Sequence, residues 1–223
     1  MAMDVREFES KAALLGAMES LMRETLSAPS EKRFALMISG GNTPLPVYAA
    51  IAADPAAASP NACIMFADDR HLPVESPDNN YGNARAMIDA LGLKPGNTLR
   101  VYPEFSLEES ADRYDIDLRT FLNAGGTIPV ALLGLGADGH TCSLFNDDDL
   151  ARCEGRFAAP AYKATPPDRV TVSPELLARC GRVIFVAAGD DKREMIQALV
   201  ENPLSIIAGK AVAHCGNVEI WRA

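Results

Sequence analysis

The stretch IPVALLGLGADGHTCSLF, running from Ile128 to Phe145, decides how the rest of the chain is read. Its first part, Ile128 to Leu133, is an apolar run of strand length that ends in glycines, which is the pattern of a buried strand. Asp138, Gly139 and His140 follow in a loop. In an open α/β sheet, ligands bind in the crevice outside the carboxyl ends of the strands, so an imidazole leaving such a strand stands where chemistry is done. His140 is therefore the first candidate catalytic residue, and the alternative is a histidine that only hydrogen-bonds within its own loop.

The same succession of apolar run, polar loop and helix recurs on both sides of this stretch. Phe34 to Ile38 reads as a buried strand that empties into Ser39, Gly40, Gly41, Asn42, Thr43 and Pro44, with a helix through Tyr48 to Ala53. Glycines let backbone N–H groups approach an anion, hydroxyls add donors, and a helix N-terminus adds favourable partial charge, so the loop suits a phosphate; a plain turn into a helix is the other reading. Cys63 to Phe66 is a second strand ending in Asp68, Asp69, Arg70 and His71, and Arg182 to Ala187 is another, ending in Gly189, Asp190, Asp191 and Lys192 ahead of an amphipathic helix through Val200. Amphipathic spacing predicts helices over Ser10 to Leu26, Asn80 to Leu91 and Leu107 to Leu122. Shorter β-prone pieces lie at Pro95 to Pro103, Arg156 to Thr165, Arg169 to Val172 and Val218 to Trp221, a helical turn at Pro174 to Ala178, and the acidic run Asn146 to Asp149 reads as a surface turn. The whole is an α/β protein, and residues 1–223 show no linker or repeat that would divide it.

Several motifs that resemble known chemistry fail on context. Gly134, Gly136 and Gly139 spell GxGxxG after a strand, but HTCSLFNDDDL follows where a dinucleotide site needs an apolar helix. Ser39 lies in Met-Ile-Ser-Gly-Gly and lacks the GxSxG elbow of a serine hydrolase. Cys142 stands two residues from His140 without assurance that the two meet, and is read as packing. His71 and His214 have no ligand spacing and are read as structural, so no metal site is indicated.

Composition narrows the class. The 223 residues carry a formal charge of −9 with no basic run, which argues against nonspecific nucleic-acid or anionic-membrane binding but leaves a small anion possible, because charges near the ligand decide. Five cysteines with no CxxC pair fit a reducing compartment. The acidic start of the chain lacks the look of a signal peptide and no apolar run reaches membrane-spanning length, so a cytoplasmic protein is expected.

Three stretches in order, SGGNTP at 39–44, FADDRHLPVESPDNNYG at 66–82 and LLGLGADGHTCSLF at 132–145, resemble the 6-phosphogluconolactonase family over most of the chain. The resemblance implies a modified Rossmann-type α/β fold, a three-layer sandwich with a mostly parallel sheet and helices on both faces, and no nucleotide cofactor. It implies that Ser39, Gly40, Gly41 and Thr43, joined by Asn42, and basic residues hold the phosphate of a sugar-phosphate lactone. It also implies that His140 activates water and that Arg70 belongs to the site. Arg169 in DRVTVS and Lys192 in GDDKREM are carried over as further phosphate ligands, and Asp69 is placed on the substrate side. The implied reaction is hydrolysis of 6-phospho-D-glucono-1,5-lactone to 6-phosphogluconate. Arg70 or loop N–H groups are candidates for stabilising the oxyanion, and Asp138 either orients the imidazole or meets a nearby cation.

The chain departs from the family pattern at His71, at Cys142 and in its last residues, which lack the usual aromatic and acidic ending and so bear on C-terminal packing. Two rivals stand beside the lactonase: a glucosamine-6-phosphate deaminase, whose pattern DGHIAFNE has a glutamate where this chain has Phe145, and a sugar-phosphate sensor without chemistry, for which no spare partner module is visible. Oligomeric state is not readable from the sequence.

Overall fold

The computed structural model describes residues 3–223. Ten strands are formed, β1 (Asp4–Glu7), β2 (Phe34–Ile38), β3 (Ala62–Phe66), β4 (Asp68–Arg70), β5 (Thr98–Leu99), β6 (Thr127–Gly134), β7 (Ala158–Ala161), β8 (Arg169–Val172), β9 (Cys180–Ala187) and β10 (Val218–Arg222). Between them lie α1 (Lys11–Ser27), α2 (Leu45–Ala53), α3 (Asn80–Ala90), α4 (Leu107–Asn123), α5 (Asp147–Arg152), α6 (Pro174–Leu177), α7 (Arg193–Glu201) and α8 (Ile207–Ala211). Seven strands make one sheet in the order β1-β10-β9-β6-β2-β3-β5, and every pairing in it is parallel.

Alternation along the strands builds a core on each face, because successive side chains of a strand point to opposite sides. Leu36, Ile38, Ile64, Phe66, Leu132 and Ile184 pack under α1, α2 and α3, while Ala35, Met37, Met65, Leu133, Val183 and Phe185 pack under α4, α7 and α8. Both faces are buried, so the central strands read as unbroken apolar runs. Local signals agree with the helices. Ser10 caps α1, accepting the Ala13 N–H, and Ser106 with Glu109 forms a capping box at the start of α4.

Three features differ from the sequence reading. The DDR cluster after β3 is itself a strand, β4, in a second sheet of order β4-β8-β7 that is antiparallel throughout. The charged segment Asp4–Glu7, which has no apolar alternation, adds the edge strand β1. The acidic run taken as a surface turn opens helix α5: Asn146 caps it, and Asp149 is buried, accepting from the Phe145 N–H and from Arg152. Acidic side chains are stabilising in a first helical turn, which is the physical reason for the correction. The strand expected at Val218 to Trp221 is present as β10 and lies inside the sheet between β1 and β9, with Trp221 buried against Phe8. Among the described residues, no helix is long and apolar enough to cross a membrane.

Candidate active site

The carboxyl ends of β2, β6 and β9 open into a cavity of about 250 Å³. Ser39, Gly40, Gly41, Asn42 and Thr43 line it together with Arg70, Arg169, His140 and Lys192. Residues from five separate stretches of sequence are thereby brought to one place.

The loop after β2 is held by both of its neighbours. The Ser39 hydroxyl donates to the Leu132 carbonyl at 2.9 Å, and the buried Tyr48 hydroxyl donates to the Ser39 carbonyl at 2.7 Å. Ser39 thus braces the loop with the hydroxyl proton that the sequence assigned to an anion. Gly40 is required by close approach, since a Cβ there would lie 1.8 Å from Asn80 Oδ1. Asn80 in turn donates Nδ2 to the Asp68 carbonyl at 2.9 Å.

On β4, strand alternation sorts the three polar residues. Asp68 and Arg70 face the cavity, whereas Asp69 is turned into the protein, where its carboxylate accepts backbone N–H groups from Arg70, Asn80 and Tyr81 at 2.7–3.0 Å. Placing Asp69 on the substrate side is therefore corrected: it fixes the start of α3, and Asp68 is the carboxylate that lines the site. Asp68 Oδ2 accepts from the Ser143 hydroxyl at 2.5 Å and lies 3.7 Å from Arg169 Nη1. Sequence reasoning passed over Asp68 and Asn80, although reading DDR as a strand separates Asp68 and Arg70 from Asp69 at once.

Arg70 and Arg169 are direct cross-strand partners in the β4–β8 pairing. Two like charges opposite each other oppose the pairing, and at Arg169 the attraction of Asp68 outweighs the repulsion of Arg70. Burial lowers the pKa of the Arg169 guanidinium, against the raising effect of Asp68. Lys192 reaches the cavity from the turn after β9, with Nζ 3.1 Å from Asp191.

The loop after β6 shapes the imidazole. His140 Nδ1 is hydrogen-bonded to Asp138 Oδ1, and Gly136 leaves the room for it, since a Cβ there would be 2.2 Å from Nδ1 and 2.4 Å from the carboxylate. Burial would raise the Asp138 carboxyl, yet the hydrogen bond and charge of His140 outweigh it and hold the carboxyl below its ordinary value. In the neutral imidazole, donation of Nδ1–H to this carboxylate leaves the lone pair on Nε2. The arrangement can take a proton from a water beside a substrate held by the cations. A thiol dyad is not supported, because burial pushes the Cys142 thiol well above its ordinary pKa.

Residues 9–217 match the family described as "Glucosamine-6-phosphate isomerases/6-phosphogluconolactonase". The chain is 32% identical to human 6-phosphogluconolactonase over 214 residues, spanning 88% of this chain and 83% of the human one. It is 34% identical over 168 residues to the 6-phosphogluconolactonase of Nostoc sp., spanning 72% and 69% of the two chains. Among solved structures, 6-phosphogluconolactonase from Trypanosoma cruzi superposes with a TM-score of 0.84 at 21% identity, covering 100% of this chain and 95% of that one. A monomeric glucosamine-6-phosphate deaminase does so with a TM-score of 0.74 at 17% identity, covering 99% and 97%. At such identities these two likenesses bear on the fold alone.

Proposed function

The chain belongs to the glucosamine-6-phosphate isomerase/6-phosphogluconolactonase family, and from that premise we propose that it hydrolyses 6-phospho-D-glucono-1,5-lactone to 6-phosphogluconate in the oxidative pentose phosphate pathway. Residues 1–223 act as one sugar-phosphate-binding domain with no cofactor and no nucleic-acid partner. The observation that carries this reading is His140 bonded to Asp138 in a cavity that the Ser-Gly-Gly loop and three cations also line.

The glycine loop with Arg169 and Lys192 takes the phosphate. Anchoring that group sets the lactone carbonyl near His140, and orientation supplies part of the rate. The imidazole, in the tautomer fixed by Asp138, takes a proton through Nε2 from water attacking the carbonyl. General-base assistance of this kind is typically worth 10²–10⁴-fold. Arg70 or the loop N–H groups meet the negative charge that develops on the carbonyl oxygen, where fixed donors act most strongly. Ring opening then gives the carboxylate product. Five free thiols are consistent with a reducing, cytoplasmic setting.

The deaminase reading is disfavoured by Phe145, which stands where that pattern has a glutamate and whose ring lies 4.7 Å from the imidazole. A phenyl ring cannot shuttle a proton. Purified protein supplied with freshly generated lactone should exceed spontaneous hydrolysis, and supplied with glucosamine 6-phosphate should release no ammonia. The reverse pattern would assign the chain to the other branch of its family.

A further inference from the structure

Phe145 collects three charged or chargeable groups around one ring. The His140 imidazole lies 4.7 Å from its centroid, tilted by 45°. The Lys163 ammonium lies over the ring at 3.7 Å, and the Arg169 guanidinium lies 5.5 Å away. Arg169 is committed to Asp68. Lys163, from the connection between β7 and β8, has no carboxylate within ion-pair distance among the described residues. Its segment is held in place nonetheless, because its backbone N–H donates to Asp168 at 2.8 Å.

We propose that Lys163, seated on Phe145, is a positioning residue for His140: its charge, held beside the imidazole, opposes protonation of the ring that acts as general base. The proposal rests on the reading of His140 as that base. The ammonium can be no farther from the imidazole than the two ring distances added together. At that range of roughly 8 Å, a unit charge shifts a titration by about 0.4–0.8 pKa unit for effective dielectric constants between 40 and 80. The sign is fixed, since a neighbouring cation disfavours the protonated imidazole.

Of the other charges around the imidazole, Arg70 is in no ion pair among the described residues and donates to the Asp78 carbonyl at 2.7 Å. On its own loop, Asp138 acts in the opposite sense through Nδ1. Asp68 and Arg70 on β4 and Arg169 on β8 line the shared cavity, with Asp68 paired to Arg169, and Lys192 beyond β9 is paired to Asp191. Helix α8 packs on the loop through the Ala208 N–H and Gly139 carbonyl, and its Lys210 is paired to Asp147 at 2.6 Å. Met195 and Ile206, which face Gly139, are uncharged. Lys163 lies outside the cavity lining and in no ion pair among the described residues, so its removal changes the charge beside the imidazole without taking away a phosphate ligand or breaking a salt bridge.

The test is nuclear magnetic resonance titration of the histidine rings in wild type, Lys163→Met and Lys163→Arg at low ionic strength. Only three histidines are present, so the His140 signal is identified by its loss in His140→Gln. The proposal expects the His140 midpoint to rise by about 0.4–0.8 unit in Lys163→Met, to return in Lys163→Arg, and inorganic phosphate affinity to stay within about twofold of wild type. The acid limb of the lactonase profile should move with the midpoint. An unmoved midpoint, or one that the arginine does not restore, overturns it. So does a loss of phosphate affinity with an unmoved midpoint, which would make Lys163 a substrate ligand. The ring titration does not use turnover, so failure of the lactonase reading and failure of this inference are separately visible.

Discussion

The His140 imidazole is held by one hydrogen bond and the space made for it. Gly136→Ala places a methyl carbon where His140 Nδ1 and the Asp138 carboxylate now meet. The expected result is a fall in kcat of about 10- to 100-fold, within what a displaced catalytic group costs, with an unchanged thermal midpoint and unchanged phosphate binding. A variant that keeps its activity would show that the imidazole does not need this position. The pH dependence follows from Asp138. Its carboxyl is held below the ordinary range, so its stabilising contact is present above the unfolded carboxylate pKa and is lost only as pH falls through the lower, folded value. Asp138 thus stays ionised throughout the interval in which imidazoles take up protons. A plot of kcat/KM against pH should therefore lose activity on the acid side in a single protonation step. Asp138→Asn, which can present the wrong hydrogen-bonding group to Nδ1, should lower the plateau. A plateau unchanged in that variant would remove Asp138 from the orientation of the base.

The short strand β4 does more than three residues suggest, because alternation gives its two sides different tasks. Asp69 holds three buried or half-buried N–H groups. Asp69→Ala leaves them without an acceptor and should cost about 3 kcal/mol or more in a denaturant titration; a loss below about 1 kcal/mol would contradict the scaffold role. Facing the cavity, Arg70 is joined by its cross-strand partner Arg169. Arg169→Ala should lower kcat/KM by about ten- to a hundredfold through a lost charge-assisted contact. Its preference for the phosphorylated lactone should weaken in step, and a preference left intact would exclude a phosphate contact. β4 also marks where the sequence ceased to be legible. Its three residues carry no apolar signal and pair with a strand a hundred positions away, so nothing local announces a second sheet. By contrast β2, β3, β6 and β9 are buried on both faces, and their apolar runs declared them. The glycine loop, His140 and Lys192 were readable because each follows such a strand. Asp68 was missed for want of the strand that orients it.

The parallel sheet places every one of these loops at its carboxyl edge, and its integrity depends on the chain's last segment. Strand β10 is interior and carries the sole tryptophan, Trp221, which is buried. Nothing in VEIWR foretells an interior position, since its neighbour β1 is charged and exposed. Trp221→Ala should cost about 3–5 kcal/mol, the usual range for removing a large buried aromatic, and urea unfolding followed by circular dichroism measures it. Little change would place β10 outside the cooperative unit. The central claim is that this sheet edge assembles a lactonase whose base is His140. The measurement that bears on it most directly compares wild type and His140→Ala on freshly generated 6-phosphogluconolactone, corrected for spontaneous hydrolysis, with inorganic phosphate affinity measured on the same samples. The account predicts hydrolysis well above background in the wild type, a fall of roughly 10²-fold or more in kcat for the variant, and phosphate affinity nearly equal in the two. Wild-type hydrolysis at the spontaneous rate, or a folded variant that turns over like the wild type, would contradict it.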